Sequence, residues 1–336
     1  MLQLHSKLID KEQVYVISPI SNPIRYSRRW ELYQQFQRHM HDVEAKLLAV
    51  ELSYGDRFPQ ILPQYDVNDP RALLLTTREE LWHKENLINL GIQTLTQIDP
   101  GWKYVCWVDS DVHFQRHDII EETAHQLQHY DIVQMFSHAI DMDPQMRPIK
   151  VHAGFIYQYF QNNHRQPQGV GLGGYYGADK GVFWHPGYAW AARRSAMDQI
   201  QLMDKAILGA GDHHMALALI GYGERSIPKG VSKGYRNMVM EWQEQAACLK
   251  KNVGYVPGTI THYWHGSKER RKYIERWKVL IDSQFDPAAD LSREPSGVYR
   301  LNMNKGERSI RLRDQIRAYF RQRSEDSIDY DGQTLC

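Results

Sequence analysis

The chain has 336 residues, of which 42% are hydrophobic and 24% charged, enough for a substantial core and typical of a globular protein rather than a disordered or fibrous one. Lysine and arginine total 41 against 40 aspartate and glutamate, so no global basic field argues for a nonspecific nucleic-acid binder. The 3 cysteines (Cys106, Cys248, Cys336) have no paired spacing, and no apolar run is long enough to span a membrane. The N-terminus, MLQLHSKLIDKEQ, lacks the apolar run of a signal peptide, and a reducing cytoplasm is the expected location.

VYVIS (14–18) reads as a short buried strand ending at Pro19. The stretch 21–42 reads as a helix with Pro23 near its start and Trp30, Tyr33, Phe36 and Met40 on one side. KLLAVELSYG (46–55) is a strand closed by Gly55, 63–70 is a loop, and ALLLTT (72–77) is another strand. A capping box, Thr77 with Glu80, opens a helix that carries Leu81, Ile88, Ile92 and Leu95 at helical intervals. DPGW breaks it. YVCWVDSDVHF (104–114) follows as a strand, with Cys106 as a small core residue, and YDIVQMF (130–136) is the next strand. This alternation predicts an α/β fold with a largely parallel sheet.

The stretch 166–187 is rich in glycine and aromatics and reads as a surface loop or a lid. GAGDHHMALALIG (209–221) is a glycine turn entering a helix. GTITHYWHG (258–266) is a strand or loop feeding a basic helix. The arginine-rich tail is a helix with Leu312, Ile316, Tyr319 and Phe320 on one face.

Asp-x-Asp occurs at 109–111, 141–143 and 329–331, but only the first is fused to the end of a buried strand. Ligands of open parallel sheets bind at the carboxyl ends of the strands. Two carboxylates there repel and lose hydration, which a hard divalent cation such as Mg or Mn between them relieves. The other two copies read as solvated turns or helix caps.

At this point the chain resembles the GT-A type glycosyltransferases, with a C-terminal galactosyltransferase-type module. The likeness runs in order from about residue 14 to 280: VYVISPISNPIRYSRR, HKENLINLGIQTL, the Asp-x-Asp strand, GYAWAARRSAMDQI with LGAGDHHMALALIG, and GTITHYWHG. It implies a Rossmann-like, mostly parallel central sheet flanked by helices, with residues 1–280 as the transferase domain. Within that domain 1–136 would hold the nucleotide sugar and 137–280 the acceptor and catalytic groups. Residues 281–336 would form a helical extension.

The activity implied is metal-dependent transfer of a hexose from a nucleotide-diphosphate sugar, expected to be a UDP-sugar, to an acceptor hydroxyl. Asp111 would be the metal ligand, with Asp109 on the metal or the donor ribose. Pro19, Asn22 and Arg25 would lie near the nucleotide, and Lys84 and Asn86 would face the donor. His262 or His265 would complete an Mn or Mg site, His262 fitting a Gly-x-Ile-x-His spacing and His265 a His-Gly pair. Asp212 would take the acceptor proton, and a single base with direct displacement inverts the anomeric centre. The module has two adjacent acidic residues in its glycine turn, whereas here Asp212 is followed by His213.

Trp184, His185 and Tyr188 are candidate sugar-stacking rings, and Arg271 with Tyr273 is a candidate diphosphate contact. The acceptor expected is a glycan or small molecule. Arg308 through Arg323 admit DNA with hydroxymethylated bases instead, by resemblance to phage-encoded transferases. Two other readings are a phosphoesterase using DSD and DHH to hold two metals, and a noncatalytic sugar-nucleotide binder.

Overall fold

The computed structural model describes residues 13–61, 71–165, 167 and 184–329. The loop 63–70, residues 166 and 168–183 of the glycine-rich stretch, the last residues of the third Asp-x-Asp and Cys336 lie outside the described residues.

The larger sheet has seven strands in the order β11 (Val253–Tyr255), β6 (Ile132–Gln134), β10 (Ala189–Arg193), β4 (Tyr104–Val108), β1 (Val14–Ser21), β2 (Lys46–Tyr54) and β3 (Ala72–Thr77). Only β10 runs against its neighbours, so the fold is mixed α/β with a large, mostly parallel sheet, as expected. The period of two sorts the strand residues onto two faces. Val14, Val16, Cys106 and Val108 pack with Phe36 and Met40 of α1 (Ser27–Asp42) and Ile119 and Ile120 of α3 (Ile119–Gln126). Ile17, Val50, Val105 and Trp107 pack on the other face with α2 (Lys84–Ile98), α6 (Gly211–Leu219) and α7 (Lys233–Ala246). Helices on both faces are what all-apolar parallel strands require.

A second sheet of five strands has the order β5 (Val112–Phe114), β12 (Thr259–His262), β7 (His138–Met142), β8 (Pro148–Gly154) and β9 (Trp184–His185). Around these lie α4 (Phe155–Gln161), α5 (Arg194–Met197), α8 (Arg276–Asp282), α9 (Pro287–Asp290), the hairpin β13 (Leu291–Arg293) and β14 (Tyr299–Leu301), and α10 (Glu307–Gln322). Leu312, Ile316, Tyr319 and Phe320 of α10 are buried, as their spacing predicts. Among the described residues no helix is long and apolar enough to cross a membrane.

Three local expectations are corrected. Pro19 does not end β1: pairing with β4 stops at Ile17, so the later residues bond to β2 alone, where a missing N–H is tolerated. Thr77 does not cap a helix. It ends β3, its hydroxyl accepts from Glu79 N and donates to Glu294 (3.0 Å), and α2 starts only at Lys84. The basic helix after GTITHYWHG is a single 3-10 turn, Glu269–Arg271, stopped by Lys272 at φ 48, before α8.

Gly91 sets how closely α2 lies on the sheet. A Cβ there would come 2.9 Å from Ile17 Cγ2 and 3.2 Å from Val50 Cγ2. Gly91→Val is therefore expected to destabilise the fold by about 1–3 kcal/mol through overpacking, read as a lowered urea midpoint at unchanged m-value; an unchanged midpoint would show that α2 does not press on β1 and β2.

Candidate functional site

The order β3-β2-β1-β4 places a topological switch beside β1, and the chain leaving β4 there is Asp109-Ser110-Asp111. Backbone bonds fix this short loop from two directions. Asp109 N donates to Tyr188 O (2.8 Å), just before β10, and Tyr263 N donates to Asp111 O (2.8 Å), just after β12. β5 then pairs antiparallel with β12, with His262 opposite Val112. Sheet register thus brings a late histidine to the Asp-x-Asp loop.

Ligand atoms of Asp111, His262 and His265 all lie within 4.8 Å of one another. Asp111 Oδ2 is 2.9 Å from His265 Nε2 and 4.0 Å from His262 Nε2, and the two Nε2 atoms are 3.3 Å apart. Asp111 Oδ1 is buried with no hydrogen-bond partner. The far nitrogens face carboxylates: His262 Nδ1 is 2.8 Å from Asp141 Oδ1, and His265 Nδ1 is 3.9 Å from Glu325 Oε2. Burial holds His262 below its ordinary pKa, against the pull of Asp141 and Asp111, which favours the neutral imidazole. Burial opposes the Asp111 charge, but His265, His262 and Arg271 together hold the carboxyl below its ordinary value. Two imidazole nitrogens facing each other beside an orphaned carboxylate oxygen fit a divalent cation, which accepts from all three at once.

Asp109 is not among those three. It pairs with Lys84 (2.5 Å) at the start of α2. Burial lifts Asp109 to about 6, with Lys84 opposing the rise and Asp111 adding to it.

These groups line a cleft in two adjoining parts of about 1020 and 790 Å³, which share Trp82, Lys84, Asp109, Asp111, His265 and Arg323. Pro19 and Ser21 at the end of β1 line the smaller part, and Asp212, Arg271 and Arg276 the larger. Asp212 sits in the first turn of α6, where Ala210 at φ 76 turns the chain and Asp212 Oδ1 accepts from His213 N (2.8 Å). Its other oxygen lies where a side chain on Gly187 would stand, so that glycine makes room for the carboxylate. Arg271 Nε is buried in the cleft wall with no partner, although Arg271 Nη1 donates to Tyr273 OH (3.1 Å). Arg323 lies over the Trp82 ring (5.3 Å) and pairs with Glu325 (2.6 Å).

Other expected residues fall elsewhere. Asn22 closes the turn after β1, bonding both the N (3.0 Å) and the O (2.8 Å) of Tyr26, and neither it nor Arg25, at φ 65, lines the cleft. Asn86 points to the hairpin, bonding Gly297 O (3.3 Å) and Tyr299 N (3.3 Å), because α2 turns that face toward β14. Trp184 is fully buried against Phe155 (4.7 Å between ring centres) and does not line the cleft. His185 and Tyr188, stacked 3.6 Å apart at 3°, do. His214 is held between Ser226 (2.7 Å) and Tyr235 (2.9 Å), so DHH forms no metal cluster among the described residues. Three of the tail arginines are engaged within the protein: Arg308 with Asp290, Arg313 with Asp314, and Arg321 with Glu80.

The second Asp-x-Asp is not a solvated turn at its first residue. Asp141 is 3% exposed and accepts from His262, Tyr188, His152 and Lys268, while Asp143 does bond the turn amides of Gln145 and Arg147. Burial opposes the Asp141 charge, but Lys268 and the two imidazoles hold it well below the ordinary range. Glu85 was also missed by sequence reasoning, though a run of buried polar residues (Glu85, Asn86, Asn89) at the start of an apolar helix is a readable signal. Its carboxyl lies against Gly211, where a Cβ would be 2.9 Å from Cδ. Burial lifts it from 4.5 to about 7, with Lys84 opposing and Asp212 adding.

No family model matches the chain, and no curated protein matches it. Among solved structures it is similar to a protein from Desulfovibrio desulfuricans G20, provisionally described as a nucleotide-diphospho-sugar transferase. The match has 11% identity and a TM-score of 0.30, and covers 92% of this chain and 97% of that one. A likeness that slight carries no chemistry from one chain to the other.

The folded state keeps the Glu85 proton up to about 7, whereas an unfolded chain releases it near 4.5, so this group's contribution to stability is lost as pH rises through that window. Glu85→Gln is expected to flatten the fall in unfolding free energy between pH 5 and 8, by on the order of 3 kcal/mol. Urea unfolding of both proteins at the two pH values checks it; equal differences would place the Glu85 carboxyl in contact with water.

Proposed function

We propose that the chain is a metal-dependent glycosyltransferase that moves a hexose from a nucleotide-diphosphate sugar, a UDP-sugar in the first instance, to an acceptor hydroxyl on a glycan or small molecule. The observation that carries the reading is the meeting of Asp111, His262 and His265 around an orphaned carboxylate oxygen, in a cleft lined by both lysine or arginine and carboxylate side chains at the carboxyl end of a mostly parallel sheet. Residues 1–280 form the transferase unit, 1–136 serving the donor and 137–280 the acceptor, and the extension 281–336 adds Arg323 to the same cleft, held from behind by the buried Glu325.

Asp111, His262 and His265 would hold a divalent cation, Mn or Mg, with Asp109 beside it. Such an ion supplies neutralisation of the charge that develops on the departing diphosphate. Arg271 and Arg323 add fixed positive charge on the same side, and the unpartnered Arg271 Nε is a donor ready for a phosphate oxygen. Pro19 and Ser21, in the smaller part of the cleft, suit the nucleoside. The stacked pair His185 and Tyr188 offers a flat face to a sugar ring in the larger part.

Asp212 takes the acceptor proton as the new C–O bond forms and the bond to the diphosphate breaks. With no other nucleophile assigned, one displacement inverts the anomeric carbon. Lys84 pairs with Asp109 and also feels the charge of Asp212, so it offsets the repulsion that these carboxylates would exert on the donor. No observation favours a DNA acceptor: of the tail arginines that could meet a phosphate backbone, Arg308, Arg313 and Arg321 are engaged in ion pairs within the protein.

Purified protein with Mn and a panel of nucleotide sugars should release free nucleoside diphosphate slowly from the true donor. Asp111→Asn is expected to abolish that turnover. Asp212→Asn should retain donor binding by calorimetry and lose about 10²–10⁴-fold in transfer. Normal transfer by Asp212→Asn would remove it as the base, and turnover that survives both chelator and Asp111→Asn would overturn the metal-dependent reading.

A further inference from the structure

Asp141 lies on β7 directly across from His262 on β12, the two being register partners in a parallel pair. Its two oxygens divide the work. Oδ1 takes His262 Nδ1 (2.8 Å) and Tyr188 OH (3.1 Å), and Oδ2 takes His152 Nε2 and Lys268 Nζ. An ionised carboxylate carries no proton, so in each of these contacts the partner donates. The proton on the His262 ring therefore sits on Nδ1, and Nε2 keeps a bare lone pair. That lone pair points at His265 Nε2 (3.3 Å) and Asp111 Oδ2 (4.0 Å). Lys268 matches the charge of Asp141, so the carboxylate need not draw a second proton onto His262.

We infer that Asp141 is a positioning residue: by accepting the Nδ1 proton of His262 it keeps the Nε2 lone pair of that ring turned into the cleft, toward Asp111. The tautomer stands on the geometry alone; that a divalent cation uses it rests on the function proposed above. Ligating histidines held by an outer carboxylate lose about 10–100-fold in metal affinity when that partner is changed. Asp141→Asn sharpens the point. Lys268 can only donate, so the amide oxygen turns toward it and the amide NH₂ faces His262. His262 Nδ1 must then accept, and its proton moves to Nε2, where it blocks ligation.

The test uses the full chain labelled with ¹⁵N-histidine and stripped of metal, with the His262 signals identified by their loss in His262→Gln. Two-bond ¹H–¹⁵N spectra should show a protonated Nδ1 in the wild type and a protonated Nε2 in Asp141→Asn. Titration of Mn alone by calorimetry should show affinity weakened about 10–100-fold in Asp141→Asn. A wild-type His262 protonated at Nε2 overturns the inference, as does an Asp141→Asn variant whose tautomer and Mn affinity match the wild type. If neither protein binds Mn while the tautomers switch as stated, the metal reading falls and the positioning by Asp141 stands. If Asp141→Asn does not fold, the wild-type spectrum alone decides.

Discussion

The pairing of β5 with β12 is the constraint on which the cleft depends. β5 begins one residue after the Asp-x-Asp loop and β12 ends at His262, so one antiparallel register fixes the distance between an early carboxylate and a late imidazole. A slip of one residue would turn His262 to the opposite face of its sheet. β7 on the other side of β12 sets Asp141 against the same ring, so His262 is held from both neighbours. His262 and Asp141 are carried by ladders, and the Asp111 loop is tied to them by the backbone bonds at its two ends.

Charge is the second constraint. Asp109, Asp111, Asp141, Asp212, Glu85 and Glu325 crowd one end of the sheet, a density that unpaired carboxylates would not tolerate. The chain answers in separate local pairings: Lys84 with Asp109, Lys268 with Asp141, and Arg29 and Arg323 with Glu325. Asp111 faces imidazoles with no lysine or arginine paired to it among the described residues, and keeps an unsatisfied oxygen. Glu85 is left with burial prevailing over the nearby lysine, and it keeps its proton.

The fold was legible because its signals are local. Apolar runs at 14–18, 46–55, 72–77 and 104–108 are strands, and the face of α10 is buried as its spacing requires. Asp111 stood out because its carboxylate follows directly on an apolar strand, and the two histidines of HYWH do lie beside it in space, with ligand atoms within 4.8 Å. Asp141 did not stand out, since DMD in sequence looks the same whether its first carboxylate faces water or four donors of the protein. The decisive neighbours, His152, Tyr188 and Lys268, arrive from three other segments. Asn86 and Trp184 failed for the converse reason: a polar or aromatic residue near a site in sequence can face a different neighbour in space. The start of α2 was misplaced because Thr77 and Glu80 have the capping-box spacing, but tertiary partners, Glu294 and Arg321, claimed both side chains.

The clasp between the two ends of the described chain carries a further consequence. Arg29 at the start of α1 grips Glu325, 296 positions later, and the hydroxyl of Tyr26 donates to the carbonyls of Phe320 and Arg321. A polypeptide emerging from the ribosome can lay down the sheet and both histidines, yet one wall of its cleft is still missing until α10 and the residues after it arrive. The cleft is therefore walled only once the segment past α10 has folded back onto α1, after every strand of the larger sheet has been made.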